Sequence, residues 1–282
     1  MPYRMERFQA VDGIALHANV WLPSDPVRAV MLLVHGIVEH SGRYSELARR
    51  LNEGGCGVYG LDLRGHGRSE GKRLWIERFE QYVEDVSGAV EWLRSRHPAQ
   101  PVFLFGHSMG GAVVLRFSLT RRPDVQGLVL SAPALKLATG VYPLLRHLAA
   151  VAGRLAPRLG LVRMSGACLS RDPQVVADFR QDPLVFRGRV PNRTAAEVLR
   201  IARWLSANLD GVEQPFIVYH GTGDRVTAVE GSRQLYARAV ATDKTLRLYD
   251  GLYHDLWHEP EWEQLAADLS GWIAARCEPW GG

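Results

Sequence analysis

The chain has 282 residues, of which 46% are hydrophobic and 23% charged, and its formal net charge is +4 at pH 7. This composition is ordinary for a soluble globular protein, and the length allows one large α/β domain or two small ones. No window of 18 apolar residues occurs, which argues against a membrane-spanning helix.

The N-terminal sequence MPYRMERFQAVDG has no apolar segment typical of a secretory signal. The three cysteines, Cys56, Cys168 and Cys277, are odd in number and follow no metal-ligand or disulfide spacing. We therefore expect free thiols in a reducing compartment, and hence a cytoplasmic protein.

Strand-like and helix-like segments alternate along most of the chain. Asp12-Gly13 lies between two strand-like runs and predicts a β-hairpin at the start. Continuous apolar runs, typical of parallel strands buried on both faces, follow at 29–36, 57–63, 101–106, 127–133, 215–221 and 245–251. Helical patterns separate most of them, at about 43–54, 77–97, 108–121, 227–240 and 259–277. This order predicts an α/β fold with a mostly parallel, doubly wound sheet and helices on both faces.

The alternation stops between residues 135 and 212, where no clear β-run occurs and the pattern is helical. We expect a helical cap (135–212) over the strand C-termini, between the core segments 1–134 and 213–282. Residues 136–210 also contain 12 Lys and Arg against 5 Asp and Glu. The segment carries no nucleic-acid motif, so no nucleic-acid partner is expected.

One stretch of the expected cap, PLLRHLAAVAGRLAPRLG, is amphipathic. At helical spacing its apolar face carries Leu144, Leu148, Val151, Ala152, Leu155 and Leu159, and its basic face carries Arg146, Arg154 and Arg158. Two interpretations remain open: a helix packed on the core with a solvated basic face, or a lid that touches lipid aggregates or a membrane surface.

The motif G-x-S-x-G occurs at Gly106, Ser108 and Gly110, between a predicted strand and a predicted helix. In this context the serine occupies a sharp turn and is a candidate nucleophile. A serine hydroxyl is a weak nucleophile at pH 7, so it needs an imidazole base and an acid that orients the base.

The order of partners expected for this fold is Ser, then Asp or Glu, then His. His254 follows a strand and a turn, which favours it over His147, His220 and His258; we expect His258 to enter the last helix. Asp224 lies three residues beyond a strand end and is the predicted acid, whereas its rival Asp250 is more typical of a turn.

The oxyanion of a tetrahedral intermediate needs two backbone donors already in place. We expect them to be the amides of Met109, which follows the nucleophile, and of Ile37, in the loop HGIVEHSGRY. His35 in this loop is interpreted as a structural histidine and not as the general base.

The chain resembles the monoglyceride lipases and lysophospholipases of the α/β-hydrolase superfamily. The matching blocks keep the family's order over nearly the whole chain: HGIVEHSGRY (35–44), LDLRGHGRSEGKR (61–73), GHSMGG (106–111), LSAPAL (130–135), SRDPQVVADFRQDPLV (170–185), HGTGDRV (220–226) and YHDLWHEPE (253–261). Within the second block, we expect Asp62, Gly65, His66, Gly67 and Ser69 to be scaffold.

The resemblance implies a cap that admits one acyl chain, and a head-group pocket near Glu39, Arg43 and His107. Glu39 and Arg43 have a second interpretation, in which they pair to hold the oxyanion loop. One position departs from the animal enzymes, because Trp257 stands where they carry a second histidine in the alcohol pocket.

We therefore expect a serine esterase that cleaves monoacylglycerols, with no cofactor and no metal. The alternatives are a lysophospholipase or a broader carboxylesterase with the same triad, or an inactive binding module. The sequence leaves the acyl preference and the oligomeric state open.

Overall fold

The computed structural model describes residues 3–24, 26–138, 153–164 and 166–277. Its centre is an eight-stranded sheet in the order β1-β2-β4-β3-β5-β6-β9-β10. The strands are β1 (Tyr3–Gln9), β2 (Ala15–Trp21), β3 (Ala29–Val34), β4 (Cys56–Asp62), β5 (Val102–His107), β6 (Gly127–Ser131), β9 (Phe216–Gly221) and β10 (Lys244–Tyr249).

The predicted hairpin and parallel sheet are confirmed. β2 pairs antiparallel with β1 and β4, and all pairings from β4 to β10 are parallel. β3, β5, β6 and β9 are buried along their whole length, as expected for strands covered on both faces.

Helices cover both faces of the sheet. They are α1 (Ser45–Glu53), α2 (Glu80–Arg96), α3 (Met109–Arg121), α4 (Pro173–Gln181), α5 (Asn192–Ala207), α6 (Val229–Arg238) and α7 (Trp262–Ala274). One apolar core lies between the sheet and α2, α3, α5 and α6, and a second lies between the sheet and α1 and α7. This arrangement is an α/β-hydrolase fold.

The chain leaves the sheet after β6 and returns at β9, although these two strands are neighbours in the sheet. The intervening segment holds α4, α5 and two short strands, β7 (Gly160–Val162) and β8 (Val190–Pro191), which pair with each other. The expectation of no strand here was therefore wrong. Strands of two or three residues are too short to produce a hydrophobic period.

Most of the predicted amphipathic stretch lies outside the described residues, including Leu144, Arg146, Leu148, Val151 and Ala152. Two of its apolar residues, Leu155 and Leu159, are described, and both are exposed. Within the described ranges, no helix is long and apolar enough to cross a membrane.

Candidate active site

Ser108 occupies a strained turn between β5 and α3. Its backbone has φ 51° and ψ −115°, a left-handed conformation that few residues other than glycine adopt. The Ser108 amide donates to the Ser131 carbonyl at 2.9 Å, and this bond ties the turn to the end of β6. Strain of this kind persists where the surrounding structure enforces it, typically at functional sites.

The flanking glycines are required by close backbone contacts. A Cβ on Gly106 would lie 2.5 Å from the Gly110 carbonyl oxygen, and a Cβ on Gly110 would lie 2.2 Å from the Val34 carbonyl oxygen. Since both distances are far below van der Waals contact, only glycine fits at either position. The G-x-S-x-G pattern follows from this packing.

Asp224 and His254 lie on the loops that follow β9 and β10 and meet in a buried hydrogen bond. The His254 Nδ1 atom is 2.7 Å from Asp224 Oδ2. The other carboxylate oxygen, Oδ1, accepts the amides of Val226 at 2.7 Å and Thr227 at 3.0 Å. The carboxylate is thus fixed by its own loop before it contacts the imidazole.

The electrostatics of this pair favour an ionised acid and a basic imidazole. Burial alone would raise the pKa of Asp224, but the neighbouring His254 and His220 hold it well below its ordinary value. Burial alone would lower the pKa of His254, but the Asp224 carboxylate raises it above 6.5. An imidazole in this setting can accept a proton from a hydroxyl group next to it.

Ser108 and His254 line the same small cavity, of about 20 Å³. Its walls also contain Gly36, Ile37, Val38, Glu39, Arg43, His107, Met164, Leu169, Phe179 and Asp255. Met164, Leu169 and Phe179 come from the segment between β6 and β9, which therefore closes over Ser108. A cavity of this size holds about one water molecule.

Two backbone amides near Ser108 have no internal partner among the described residues: that of Ile37, which lines the cavity, and that of Met109, which follows Ser108 in the chain. In the described part of the chain, neither the Ile37 nor the Met109 amide donates a hydrogen bond. Met109 is the first residue of α3, so its N–H lies at the positive end of the helix dipole. Free, oriented N–H groups are what an oxyanion requires.

A buried charge network holds the loop that carries Ile37. Glu39 Oε1 accepts the Gly36 amide at 2.6 Å and the Tyr44 hydroxyl at 2.9 Å. Its other oxygen pairs with Arg43, whose second nitrogen contacts Asp255 Oδ2 at 2.8 Å.

The charges of this network stabilise one another. Burial alone would raise the pKa of Glu39, but Arg43 and His107 lower it to about 2. Glu39 and Arg43 thus pair with each other, Glu39 holds the loop that carries Ile37, and both residues also border the Ser108 cavity.

His107 lies beside the catalytic candidates. Its ring centroid is 4.8 Å from that of His254, and its Nδ1 atom is 3.1 Å from the Ser131 hydroxyl. Burial and the nearby His254 lower the pKa of His107 to about 4, so this ring is neutral at pH 7.

Trp257 packs on Phe105 and Tyr219 in the core between the sheet and α7, and the described residues that line the Ser108 cavity do not include it. The expectation for His258 was wrong, because the last helix begins only at Trp262. The His258 Nδ1 atom lies 2.8 Å from Asp255 Oδ1, and its Nε2 atom lies 2.9 Å from the Arg43 carbonyl oxygen.

His35 lies inside the core. The Leu63 amide donates to its Nε2 atom at 3.1 Å, and its Nδ1 atom donates to the Gly36 carbonyl at 2.7 Å. These backbone bonds match the structural role predicted for His35. Across the described ranges, no group of three His, Cys, Asp or Glu side chains could hold a metal ion.

The chain matches known proteins over most of its length. Residues 25–261 match the family described as serine aminopeptidase, S33. The monoacylglycerol lipase of Mycolicibacterium smegmatis is 37% identical over 95% of this chain and 96% of its own. The human monoglyceride lipase is 32% identical over 98% of this chain and 92% of its own.

A solved structure agrees with these sequence matches. The crystal structure of Paleococcus ferrophilus monoacylglycerol lipase superimposes with a TM-score of 0.82 at 32% identity, covering 98% of this chain and 100% of that one. The chain therefore belongs to the serine aminopeptidase, S33 family of α/β hydrolases and is related to the monoglyceride lipases.

Proposed function

We propose that this protein hydrolyses monoacylglycerols to a fatty acid and glycerol, with Ser108 as nucleophile, His254 as general base and acid, and Asp224 as the orienting acid. The observation that carries the proposal is the strained Ser108 turn, which borders the same small cavity as an imidazole bonded to a buried carboxylate. Relatives named monoacylglycerol or monoglyceride lipases support the substrate class.

In the proposed mechanism the Ser108 oxygen attacks the acyl carbonyl while His254 takes its proton. His254 then gives this proton to the departing glycerol oxygen, which leaves an acyl group on Ser108. Water, activated by His254, attacks the acyl-enzyme and releases the fatty acid. Asp224 stays ionised and stabilises the imidazolium in both halves of the reaction.

The amides of Ile37 and Met109 are the proposed oxyanion donors. Glu39 supports this role because its bond to the Gly36 amide fixes the peptide next to Ile37. Donors that are in place beforehand need no reorganisation as charge develops on the carbonyl oxygen.

The charges at the cavity favour an uncharged ester over a peptide with a free amino terminus. An aminopeptidase needs an acidic group to bind the substrate ammonium. Among the described residues that line the Ser108 cavity, the carboxylates are Glu39 and Asp255, and both are paired with Arg43. Each is already bonded to Arg43, so a substrate ammonium would have to compete with that guanidinium for either carboxylate.

We further propose that the acyl chain passes between Met164 and Phe179. These two side chains line the Ser108 cavity and also an open groove of about 410 Å³, which Val185 and Phe186 border. The cavity of about 20 Å³ is too small for an acyl chain, so substrate entry requires these two side chains to move.

Residues 135–212 are the proposed cap, and its outer surface is the proposed site of peripheral contact with a membrane or micelle. Leu155, Leu159 and Val162 are exposed there, near the basic Arg154 and Arg158. This contact predicts binding to anionic liposomes that weakens as salt rises. Binding that is absent or independent of salt would contradict it.

The test is fatty-acid release from monooleoylglycerol and from lysophosphatidylcholine at equal acyl concentration, with Ser108→Ala as the control. We expect faster release from the glyceride and none from the variant. Faster release from the lysophospholipid would leave the proposed mechanism unchanged but would identify a lysophospholipid as the substrate. Release by Ser108→Ala at the wild-type rate would contradict the proposed nucleophile.

A further inference from the structure

A second histidine contacts the same carboxylate oxygen as His254. His220 is the next-to-last residue of β9, and its side chain is completely buried. Its Nε2 atom lies 3.2 Å from Asp224 Oδ2, the atom that His254 Nδ1 approaches to 2.7 Å. Asp224 therefore lies between two imidazoles.

The surroundings of His220 define which of its nitrogens carries the hydrogen. Nε2 faces three oxygens: Asp224 Oδ2 and, each at 3.4 Å, the Thr227 carbonyl oxygen and the Thr227 hydroxyl, whose own hydrogen goes to Asp224 Oδ2. Nδ1 faces the Ser232 hydroxyl at 2.7 Å, which can donate. This pattern assigns the hydrogen to Nε2 and leaves Nδ1 to accept from Ser232.

The contacts of Asp224 Oδ2 leave it little freedom. Besides the two imidazoles, Oδ2 accepts the Thr227 hydroxyl at 2.8 Å. With the two amides on Oδ1, five groups surround a carboxylate that is almost fully buried. His220 is the donor that reaches it from the sheet, because the amides and the Thr227 hydroxyl come from the Asp224 loop itself.

We propose that His220 is a positioning residue for Asp224: through Nε2–H it anchors the carboxylate to β9 and shares the negative charge that Oδ2 presents to His254. Ser232 fixes the tautomer that this bond needs. The inference rests on the proposed roles of Asp224 and His254, and His220 itself touches neither Ser108 nor the substrate cavity.

The proposed bond from His220 predicts the direction in which the pKa of His254 changes when the bond is lost, and a purely structural role predicts no such direction. Without the His220 donor, Oδ2 carries more negative charge toward His254 and stabilises its protonated form more strongly. Activity needs the unprotonated imidazole, so the acidic limb of the kcat/KM profile moves to higher pH. The other groups that act on His254, namely Asp255, Glu39 and His107, stay unchanged.

Two substitutions separate this bond from simple packing. In His220→Asn the side chain ends near the position of Nδ1 and loses the donor to Asp224. In His220→Gln an amide nitrogen can reach the position of Nε2 and restore it. Ser232→Ala leaves His220 in place and removes the hydroxyl that fixes its tautomer.

The experiment measures kcat, KM and the pH profile with p-nitrophenyl butyrate, a soluble ester, and normalises them to the folded fraction from circular dichroism. For His220→Asn we expect kcat/KM to fall about tenfold or more, the loss of one hydrogen bond to a charged group. The acidic limb moves up by several tenths of a pH unit, roughly the effect of losing one neighbouring donor. In His220→Gln, kcat/KM and the position of the acidic limb return most of the way to wild-type values. In Ser232→Ala the acidic limb moves in the same direction as in His220→Asn, but by less.

The proposal would be overturned if folded His220→Asn or Ser232→Ala protein had the wild-type pH profile of kcat/KM. It would also be overturned if the acidic limb of that profile moved to lower pH. If His220→Asn does not fold, Ser232→Ala alone decides. A failure of the proposed function is distinguishable, because wild-type protein would then show no hydrolysis that depends on Ser108.

Discussion

Replacement of Glu39 by Gln tests whether this residue holds the oxyanion loop or binds the head group. Gln keeps the size of the side chain and can still accept the Gly36 amide, but it loses the charge that pairs with Arg43. The folded protein lowers the pKa of Glu39 from 4.5 to about 2. At about 1.4 kcal/mol per unit, this shift corresponds to about 3 kcal/mol of stability at pH 7.

That loss agrees with the range of about 3–5 kcal/mol expected when one partner of a buried ion pair is removed. It predicts that Glu39→Gln lowers Tm by about 6–12 °C at pH 7. Since the pKa is depressed in the folded state, the stabilisation is present above pH 4.5 and is lost as the pH falls toward 2. The difference in Tm between wild type and variant therefore narrows below about pH 4.5.

The assay combines thermal unfolding with kinetics on monooleoylglycerol and p-nitrophenyl butyrate, which lacks the glycerol. Because the Glu39 carboxylate is bonded within the protein, we expect both substrates to be affected equally. Glu53→Gln is the matched control, since Glu53 forms exposed pairs with Arg49 and Arg50, and its Tm should not change measurably. An unchanged Tm in Glu39→Gln, with a KM raised for the glyceride alone, would refute the reasoning and favour head-group binding.

Three further predictions follow from the site. Asp224→Asn should lower kcat by about 10³- to 10⁴-fold with KM little changed, as in other triads; a loss below tenfold would argue against the assigned acid. Because the pKa of His254 is raised, kcat/KM should rise with pH through a midpoint above 6.5, and a midpoint below 6.5 would contradict the His254–Asp224 pairing. Phe179→Ala, and to a lesser degree Met164→Ala, should raise kcat/KM for long-chain esters relative to butyrate, and an unchanged ratio would place the acyl path elsewhere.

The sheet was predictable because each buried strand is a short apolar run that ends at a turn. β3, predicted from 29–36, spans Ala29–Val34, and β9, predicted from 215–221, spans Phe216–Gly221. The pairing of β7 with β8 was not predictable, because it joins residues about 30 positions apart and each strand is too short for an alternating pattern to be recognised.

The proposed triad was predictable for a related reason. Parallel strands place their following loops at one edge of the sheet, so the G-x-S-x-G motif, the expected order of partners and the positions of strand ends together selected Ser108, Asp224 and His254 as candidates. The surrounding network was not visible in the sequence. Arg43 and Asp255 are 212 positions apart, and no local pattern pairs them.

The interpretation of His220 illustrates the same limit. The sequence analysis placed it at a strand end ahead of the acid and assigned it no role. Only the fold shows that the end of β9 brings its imidazole to Asp224 while Ser232, on α6, meets the opposite nitrogen. The HG-x-x-D spacing in HGTGD was the available signal, since it brings His220 and Asp224 together around a tight turn.

The central claim is that Ser108 carries the acyl group of a monoacylglycerol during turnover. Rapid acid quenching of wild-type protein mixed with monooleoylglycerol, followed by mass spectrometry of its peptides, tests this claim most directly. We expect an oleoyl ester on the peptide that contains Ser108, formed before oleate reaches its steady-state rate of release and absent from Ser108→Ala. Oleate release with no acylated Ser108, or with the acyl group on another residue, would contradict it.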